Sequence, residues 1–355
     1  MKLVVLGGGL STERHVSLVT ATSVCKALRE RGHQAVFVDT FFGLENFDGT
    51  PAEAFDAPDG LCGQAAIGHT APDIEAVIAS RRDKSPSRLG PGVLEICRLA
   101  DCVFLGLHGA DGEDGKIQAA LELLGVPYTG SDALPSGMAM DKIVAKRIAS
   151  LQGVPTPPWQ VLHYTREDIP ALVDSLPLPC ALKTPNGGSS IGVALPETRE
   201  ELREALEELL AFGGKLLVEE KIRGREITVP VLDGKALSPI EVVPPEGGSF
   251  DYVAKYQSGA EGARELCPAP ITETQRELVC RLAEQAHEAL NLAVYSRSDF
   301  ILDREGRAWW LEVNTLPGLT PASLIPKAAA VAGMSYGELC ETIVALSVQR
   351  WKDRY

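Results

Sequence analysis

No stretch of this chain approaches the roughly 20 consecutive apolar residues that a membrane-spanning helix requires, so a spanning role is excluded. Basic residues are scarce. Lysine and arginine total 34 against 48 aspartates and glutamates, a formal net charge of −14. Such an acidic chain is a poor partner for nucleic acid or an anionic membrane, and any phosphate it holds must meet a local basic spot. The eight cysteines form no C-x-x-C pair and no metal-ligand spacing. Several of them, Cys102 and Cys180 included, lie in apolar runs, as buried free thiols of a reducing cytosol do. No internal repeat or low-complexity tract is present. The opening MKLVVLGGG enters a strand at once and leaves no room for a signal peptide, so a cytoplasmic location is expected.

What the chain does contain is alternation of strand and helix patterns over 355 residues, enough for two or three domains with sizeable cores. The expected class is α/β, turning α+β with antiparallel sheet toward the C-terminus. Residues 2–6 read as a buried strand, 7–9 as a glycine turn, 12–31 as a helix closed by Gly32, and 35–39 as a second strand. Residues 41–100 are the least readable; their basic patch, Arg81-Arg82-Asp83-Lys84, reads as a solvated loop. A strand over 102–107 ends in His108-Gly109, and a helix runs to Leu124. Beyond Ser131 come a helix over 141–152 with Lys142 at its start, a strand over 180–184, and a charged helix over 197–210. Strands over 215–221, 226–232 and 235–243 follow, then a polar loop over 245–262, a helix over 272–290, and helices near 321–332 and 335–349.

The most informative segment is 295–318, YSRSDFILDREGRAWWLEVNTLPG, which reads as a β-hairpin turning at Asp303-Arg304-Glu305-Gly306. With a two- or four-residue loop, Arg297 opposes Glu312 and Asp299 lies diagonal to it. Arg297, Asp299, Glu312 and Asn314 then share one face, while Phe300, Leu302, Trp309, Leu311 and Val313 share the other. An odd-length turn would put the two pairs on opposite faces. Two carboxylates and an amide oxygen on one surface ask for a cation between them, and an all-oxygen set points to Mg²⁺ or Mn²⁺ rather than zinc. The competing reading is a surface Arg297–Glu312 pair of little energetic consequence. The irregular Thr315-Leu316-Pro317-Gly318 loop at the strand end favours a site.

Other motifs are weaker singly. Lys183 precedes a small-residue loop, Asn186-Gly187-Gly188-Ser189-Ser190, whose backbone N–H groups can cradle phosphate; it is not a P-loop. Lys142 sits at a helix start, a poor place for a cation unless it faces an anion. Gly7-Gly8-Gly9-Leu10-Ser11-Thr12-Glu13 resembles a dinucleotide fingerprint, and Asp39 ends the next strand, which raises an NAD-linked dehydrogenase as a rival. Thr12 at the third glycine position and Glu13 beside it speak against that. Glu13 serves equally as a helix-dipole partner behind a Ser11 cap or as a grip on a substrate ammonium. His108 ends a buried strand, where packing histidines outnumber ligand-facing ones. Glu219-Glu220-Lys221 ends a strand and Glu226 begins the next. Asp251 to Tyr256 lies in a long loop that reads as a lid.

Taken in order, GGGLSTERHVS, LHGADGEDG, GVPYTGS, MDK, KTPNGGSSIG, EEKIRGRE, DYVAKY, RSD and EVNTLPGLTPASL resemble the D-alanine–D-alanine ligases of the ATP-grasp superfamily, over nearly the whole chain except 41–100. The resemblance implies a Rossmann-like domain over 1–130 and an ATP-grasp fold, its small lobe over 131–218 and its C-terminal lobe over 219–355. It implies ATP-dependent ligation of two D-alanines through an acyl phosphate, for peptidoglycan precursors, by a homodimer. Lys142 and Lys183 would bind phosphates; Glu219, Glu220 and Ile222 adenine; Glu226 the ribose; and Asp299, Glu312 and Asn314 two Mg²⁺ ions. Glu13 would grip the first ammonium, with His108 near that substrate or moving a proton. Ser189 and Tyr256 would join Glu13 in a link that shuts the lid. Lys255, Ser323 and Leu324 would receive the second carboxylate. Arg297 and the Gly318 N–H would face the oxyanion. Two departures stand out: Asn186-Gly187 replaces a usual glutamate-containing loop, and Glu220-Lys221 replaces lysine-aromatic at the adenine segment. Same-fold ligases using D-serine or D-lactate are the nearest alternative, and a non-catalytic nucleotide-binding regulator a further one.

Overall fold

The computed structural model describes residues 1–63, 72–187, 192–244 and 263–354. Among them three sheets form. The first is parallel, with Lys2–Gly7 between Gln34–Asp39 and Cys102–Leu105. Leu3, Val4, Val5 and Leu6 are all fully buried, as a strand covered on both faces requires. Helix Arg14–Glu30 covers one side, and its core continues into residues of 293–344, including Leu339, Cys340 and Ile343 of the C-terminal helix Tyr336–Arg354. Two chain ends are thereby joined, and Glu341 pairs with both Arg31 and His33.

The second sheet is antiparallel and centres on Gly224–Leu232, which lies between Ile240–Val243 and Tyr295–Asp303; the latter pairs onward with Ala308–Asn314. Helix Glu273–Ala289 packs Val279, Leu282, Ala283 and Ala286 against Phe300, Leu302 and Trp310. The third sheet, ordered Trp159–His163, Lys215–Glu220, Cys180–Lys183 and Val193–Ala194, has a separate core beneath helices Ile169–Ser175 and Arg199–Leu209.

Several expectations are corrected. The strand expected over 235–243 is two strands, Lys235–Ala236 and Ile240–Val243, because Pro239 lacks the N–H that a continuous ladder needs. Within 41–100 lie helices Ile74–Ser80 and Val93–Cys97, and Arg81 is not solvated. Its guanidinium is buried over the Phe41 ring and donates to the carbonyls of Phe41, Asp83, Ser85 and Ser87, so this segment folds around one cation. All eight cysteines are free and six are buried. Among the described residues, no helix is long and apolar enough to cross a membrane.

The hairpin of the second sheet turns through an odd, three-residue loop, Arg304-Glu305-Gly306, closed by Asp303 N–H donating to the Arg307 carbonyl at 3.0 Å. Gly306 sits at φ +80°, and a Cβ there would meet nothing closer than Gln275 Nε2 at 3.5 Å. Backbone preference alone therefore sets the consequence of substitution. Gly306→Ala is expected to lower unfolding free energy by about 1 kcal/mol, read as a shift in the urea midpoint, with the fold unchanged.

Candidate active site

An odd loop should send Asp299 and Glu312 to opposite faces, yet they lie on one. Near the turn Phe300 pairs with Trp310 and Leu302 with Ala308. Beyond Leu311, an extra residue on the second strand, the register shifts, and Asp299 pairs with Glu312 and Arg297 with Asn314. This β-bulge restores the parity that the turn removes. The expected shared face is therefore present, but the pairing differs: Arg297 opposes Asn314, not Glu312. The apolar face differs too. Trp310 is fully buried there, whereas Trp309 turns to the other face and donates its indole N–H to Asp303 at 2.8 Å.

On the polar face, Asp299 accepts a two-pronged bond from Arg297 at 2.9 and 2.8 Å, a hydroxyl bond from Thr228 at 2.5 Å, and the Asn314 amide at 3.3 Å. Glu312 meets Lys142 Nζ at 2.9 Å. Lys142 opens helix Lys142–Leu151, whose N-terminus is capped by Asp141, and its ammonium also donates to the Gly187 carbonyl at 2.9 Å. Burial works against the charge on Lys142, but Glu312 outweighs it and holds the ammonium pKa above its ordinary value. Thr315 Oγ1 is buried without a partner among the described residues, in a wall it shares with Glu113, Lys142, Glu312 and Asn314.

A second cation cluster adjoins. Ala181 faces Glu219 across the third sheet, so Lys183 is Glu219's diagonal neighbour on the same face. The Glu219 carboxylate lies between Lys183, at 2.5 Å, and Lys146. Burial raises the Glu219 pKa, yet the two lysines more than reverse it. Of the other residues expected near a nucleotide base, Glu220 is exposed, and Ile222 and Glu226 are half-buried where the chain passes from the third sheet to the second.

The N-terminal sheet contributes its strand ends. Glu13 is buried with its carboxylate against Gly109, where a Cβ would come within 2.8 Å of Oε2. The expected Ser11 cap is not formed: helix Arg14–Glu30 starts after Glu13, which occupies the cap position without a capping side-chain bond, and Ser11 instead accepts the Glu13 N–H at 3.2 Å. His108 Nδ1 lies 2.8 Å from the Leu316 carbonyl, which can only accept, so Nδ1 carries the proton and Nε2 accepts from Thr20 Oγ1 at 2.9 Å. Burial lowers the His108 pKa and keeps the ring neutral. Both ring nitrogens are thus committed to protein groups.

Glu113, which lies within the LHGADGEDG motif, accepts the backbone N–H of Gly109 and of Leu316, both at 2.9 Å. Burial, and then the charge of Glu13, push its pKa up to about 7. Ser323 precedes helix Leu324–Val331 and bonds Thr320, with Gly318 beside it. Ser189, Lys255 and Tyr256 lie outside the described residues. A cleft of about 620 Å³ runs from Leu10–Glu13 past Gly109 and Asp141 to Thr184 and Gly187.

The arrangement removes the dehydrogenase rival. Asp39 is held by Arg14, with contacts at 2.5 and 3.3 Å, and by the Phe41 N–H at 2.9 Å, so no ribose-binding carboxylate is left at that strand end. Glu113, Lys146 and Thr228 were missed. Lys146 follows Lys142 by four positions, one helical turn, which was the one available signal.

Residues 2–131 match the family described as D-ala D-ala ligase N-terminus, and residues 148–345 the D-ala D-ala ligase C-terminus. The chain is 39% identical to the D-alanine–D-alanine ligase of Pediococcus pentosaceus, over 97% of each chain. It is 38% identical to that of Bordetella pertussis, over 97% of this chain and 94% of the other. Among solved structures, the Bacillus anthracis D-alanine–D-alanine ligase complexed with ATP superposes with a TM-score of 0.70 at 26% identity, covering 99% of both chains. Similarity that spans both halves of the molecule is more than a shared fold: the chain belongs to the D-alanine–D-alanine ligase family, ATP-dependent ligases with the ATP-grasp fold.

Proposed function

We propose that the protein joins two D-alanine molecules at the expense of ATP, through an acyl phosphate, and so supplies a cytoplasmic peptidoglycan precursor. The observation that supports this most is the shared face of Asp299, Glu312 and Asn314 beside Lys142, with Lys183 adjoining. Carboxylates and cations interleaved at the edge of a cleft suit a polyphosphate, whose oxygens need both ammonium groups and hard cations. The donor set fits Mg²⁺ or Mn²⁺. Among the described residues no third acidic, histidine or cysteine side chain joins Asp299 and Glu312. Two such ions would complete their shells with triphosphate oxygens and water, as Mg²⁺ does. When bound they would supply neutralisation of the transferring phosphoryl group.

The chain's own residues divide the remaining work. Glu13 binds the ammonium of the first D-alanine, aiming its carboxylate at the γ-phosphorus, with Glu113 adding charge behind it. A carboxylate oxygen attacks phosphorus and ADP leaves, while Lys142 and Lys183 hold the phosphates. Glu220 and Ile222 border the adenine, with the Glu219 backbone; Glu226 holds the ribose. Lys255, Ser323 and Leu324 receive the second carboxylate. The amine of the second D-alanine attacks the acyl carbon, Arg297 and the Gly318 N–H face the oxyanion, and phosphate departs. Ser189 and Tyr256 close the lid onto Glu13, which keeps water from the acyl phosphate. His108, with both nitrogens bonded, ties the N-terminal loop to Leu316. The proposed unit is a homodimer.

Two measurements test this. Glu312→Ala is expected to lower ATP-dependent phosphate release with D-alanine at least ~10²-fold while the circular dichroism spectrum is kept. Retained release would refute the site. With ATP, Mg²⁺ and a panel of D-alanine, D-serine and D-lactate, mass spectrometry should find the D-alanine dipeptide as main product; a mixed product would point to the alternative second substrates. The raised Glu113 pKa gives a pH signature. As pH climbs through about 7 Glu113 loses its proton and adds a negative charge near Glu13. KM for the first D-alanine should then fall between about pH 6 and about pH 8 by roughly threefold to tenfold, an effect of ~1 kcal/mol. Glu113→Gln should flatten that dependence, and an unaltered profile would contradict the assignment.

A further inference from the structure

Lys146 has no place in the chemistry above, yet its burial demands a reason. Its side chain is 0% exposed and its partner, the Glu219 side chain, 1% exposed. Lysine is almost never fully buried unless paired, and its pairing here is with a carboxylate that already has another cation. Glu219 carries one negative charge, while Lys146 and Lys183 carry two positive ones. The cluster therefore holds a net positive charge, with burial drawing the Lys146 pKa down to about 8 despite Glu219 beside it. Of the three, only Lys183, 12% exposed, is appreciably reached by solvent, and the next residue, Thr184, lines the cleft. An excess cation inside a protein is tolerated when an anion docks at its open end.

We propose that Lys146 is a positioning residue for the nucleotide: by neutralising Glu219 from behind, it leaves Lys183 with an uncompensated charge directed at the phosphates. Without Lys146, Glu219 and Lys183 form a closed neutral pair. Lys183 is then drawn to the carboxylate and competes poorly for phosphate. Lys142, one helical turn earlier, is different: its ammonium faces Glu312 and Gly187 at the cleft wall itself. The inference rests on the nucleotide reading of the site, and the test separates the two.

Titrating ATP with MgCl₂ into the full-length protein by calorimetry gives the affinity of wild type, Lys146→Met, Lys146→Arg and the double variant Lys146→Met/Glu219→Gln. Lys146→Met should weaken binding about tenfold, the size of coupling expected between contacting charges. Lys146→Arg should retain most of the affinity. The double variant, which removes the competing carboxylate as well, should recover to within about threefold of wild type. A purely structural lysine would give no recovery. Equal affinity of wild type and Lys146→Met overturns the proposal, as does a double variant no tighter than the single one. No binding by folded wild type would instead refute the nucleotide reading. Should Lys146→Met not fold, Lys146→Gln replaces it with the same expected weakening and the same overturning result.

Discussion

The geometry of the site depends on a one-residue parity. A strand sends successive side chains to opposite faces, so any single insertion in a hairpin reverses everything beyond it. This hairpin carries two such irregularities. The three-residue turn at 304–306 reverses the second strand, and the bulge at Leu311 reverses it back before Glu312. Between them lies a short stretch in which Trp310, rather than Trp309, packs on Phe300 and Leu302. Either irregularity alone would bury Glu312 against the helix Glu273–Ala289 and expose Val313. The pair keeps an apolar core on one side and a collected set of oxygens on the other.

Charge compensation is the second constraint. Asp299, Glu312 and Glu219 are each engaged by cations: Arg297, Lys142, and Lys146 with Lys183. For Glu219, which burial alone would push toward the protonated form, the two lysines bring the carboxyl pKa below its ordinary value. Glu113 shows the contrary case. Burial and the charge of Glu13 outweigh its two backbone N–H donors and the charge of Arg297, and its pKa rises to about 7. Because those N–H groups belong to Gly109 and Leu316, the same carboxylate joins the end of the N-terminal sheet to the loop that follows the hairpin. His108 makes the parallel connection through the Leu316 carbonyl.

The sequence made some of this legible and hid the rest for physical reasons. The collection of Arg297, Asp299, Glu312 and Asn314 could be read because the members of each pair stand two residues apart on one strand, the period at which side chains share a face. The register could not, since Asp303 to Arg307 suits several loop lengths and Leu311 carries no mark of a bulge. The burial of Arg81, Lys146 and Glu219 was equally unreadable, because long charged side chains are normally exposed and only tertiary contacts reveal the exceptions. Pro239 was a readable interruption of the strand expected over 235–243. Of the residues carried by family resemblance, Glu13 lines the large cleft, Lys142, Glu312 and Asn314 share one wall, Asp299 bonds Asn314, and Lys183 pairs with Glu219. Glu219 turns its carboxylate to lysines instead of outward.

The most direct measurement of the shared face is Mn²⁺ uptake followed by electron paramagnetic resonance, with a non-hydrolysable ATP analogue present. If Asp299, Glu312 and Asn314 converge on ions that the triphosphate shares, wild type should deplete the free Mn²⁺ signal beyond what the analogue does alone, and Asp299→Asn should lose that excess. Equal depletion by wild type and Asp299→Asn would contradict a metal site on this hairpin, whatever the fate of the fold.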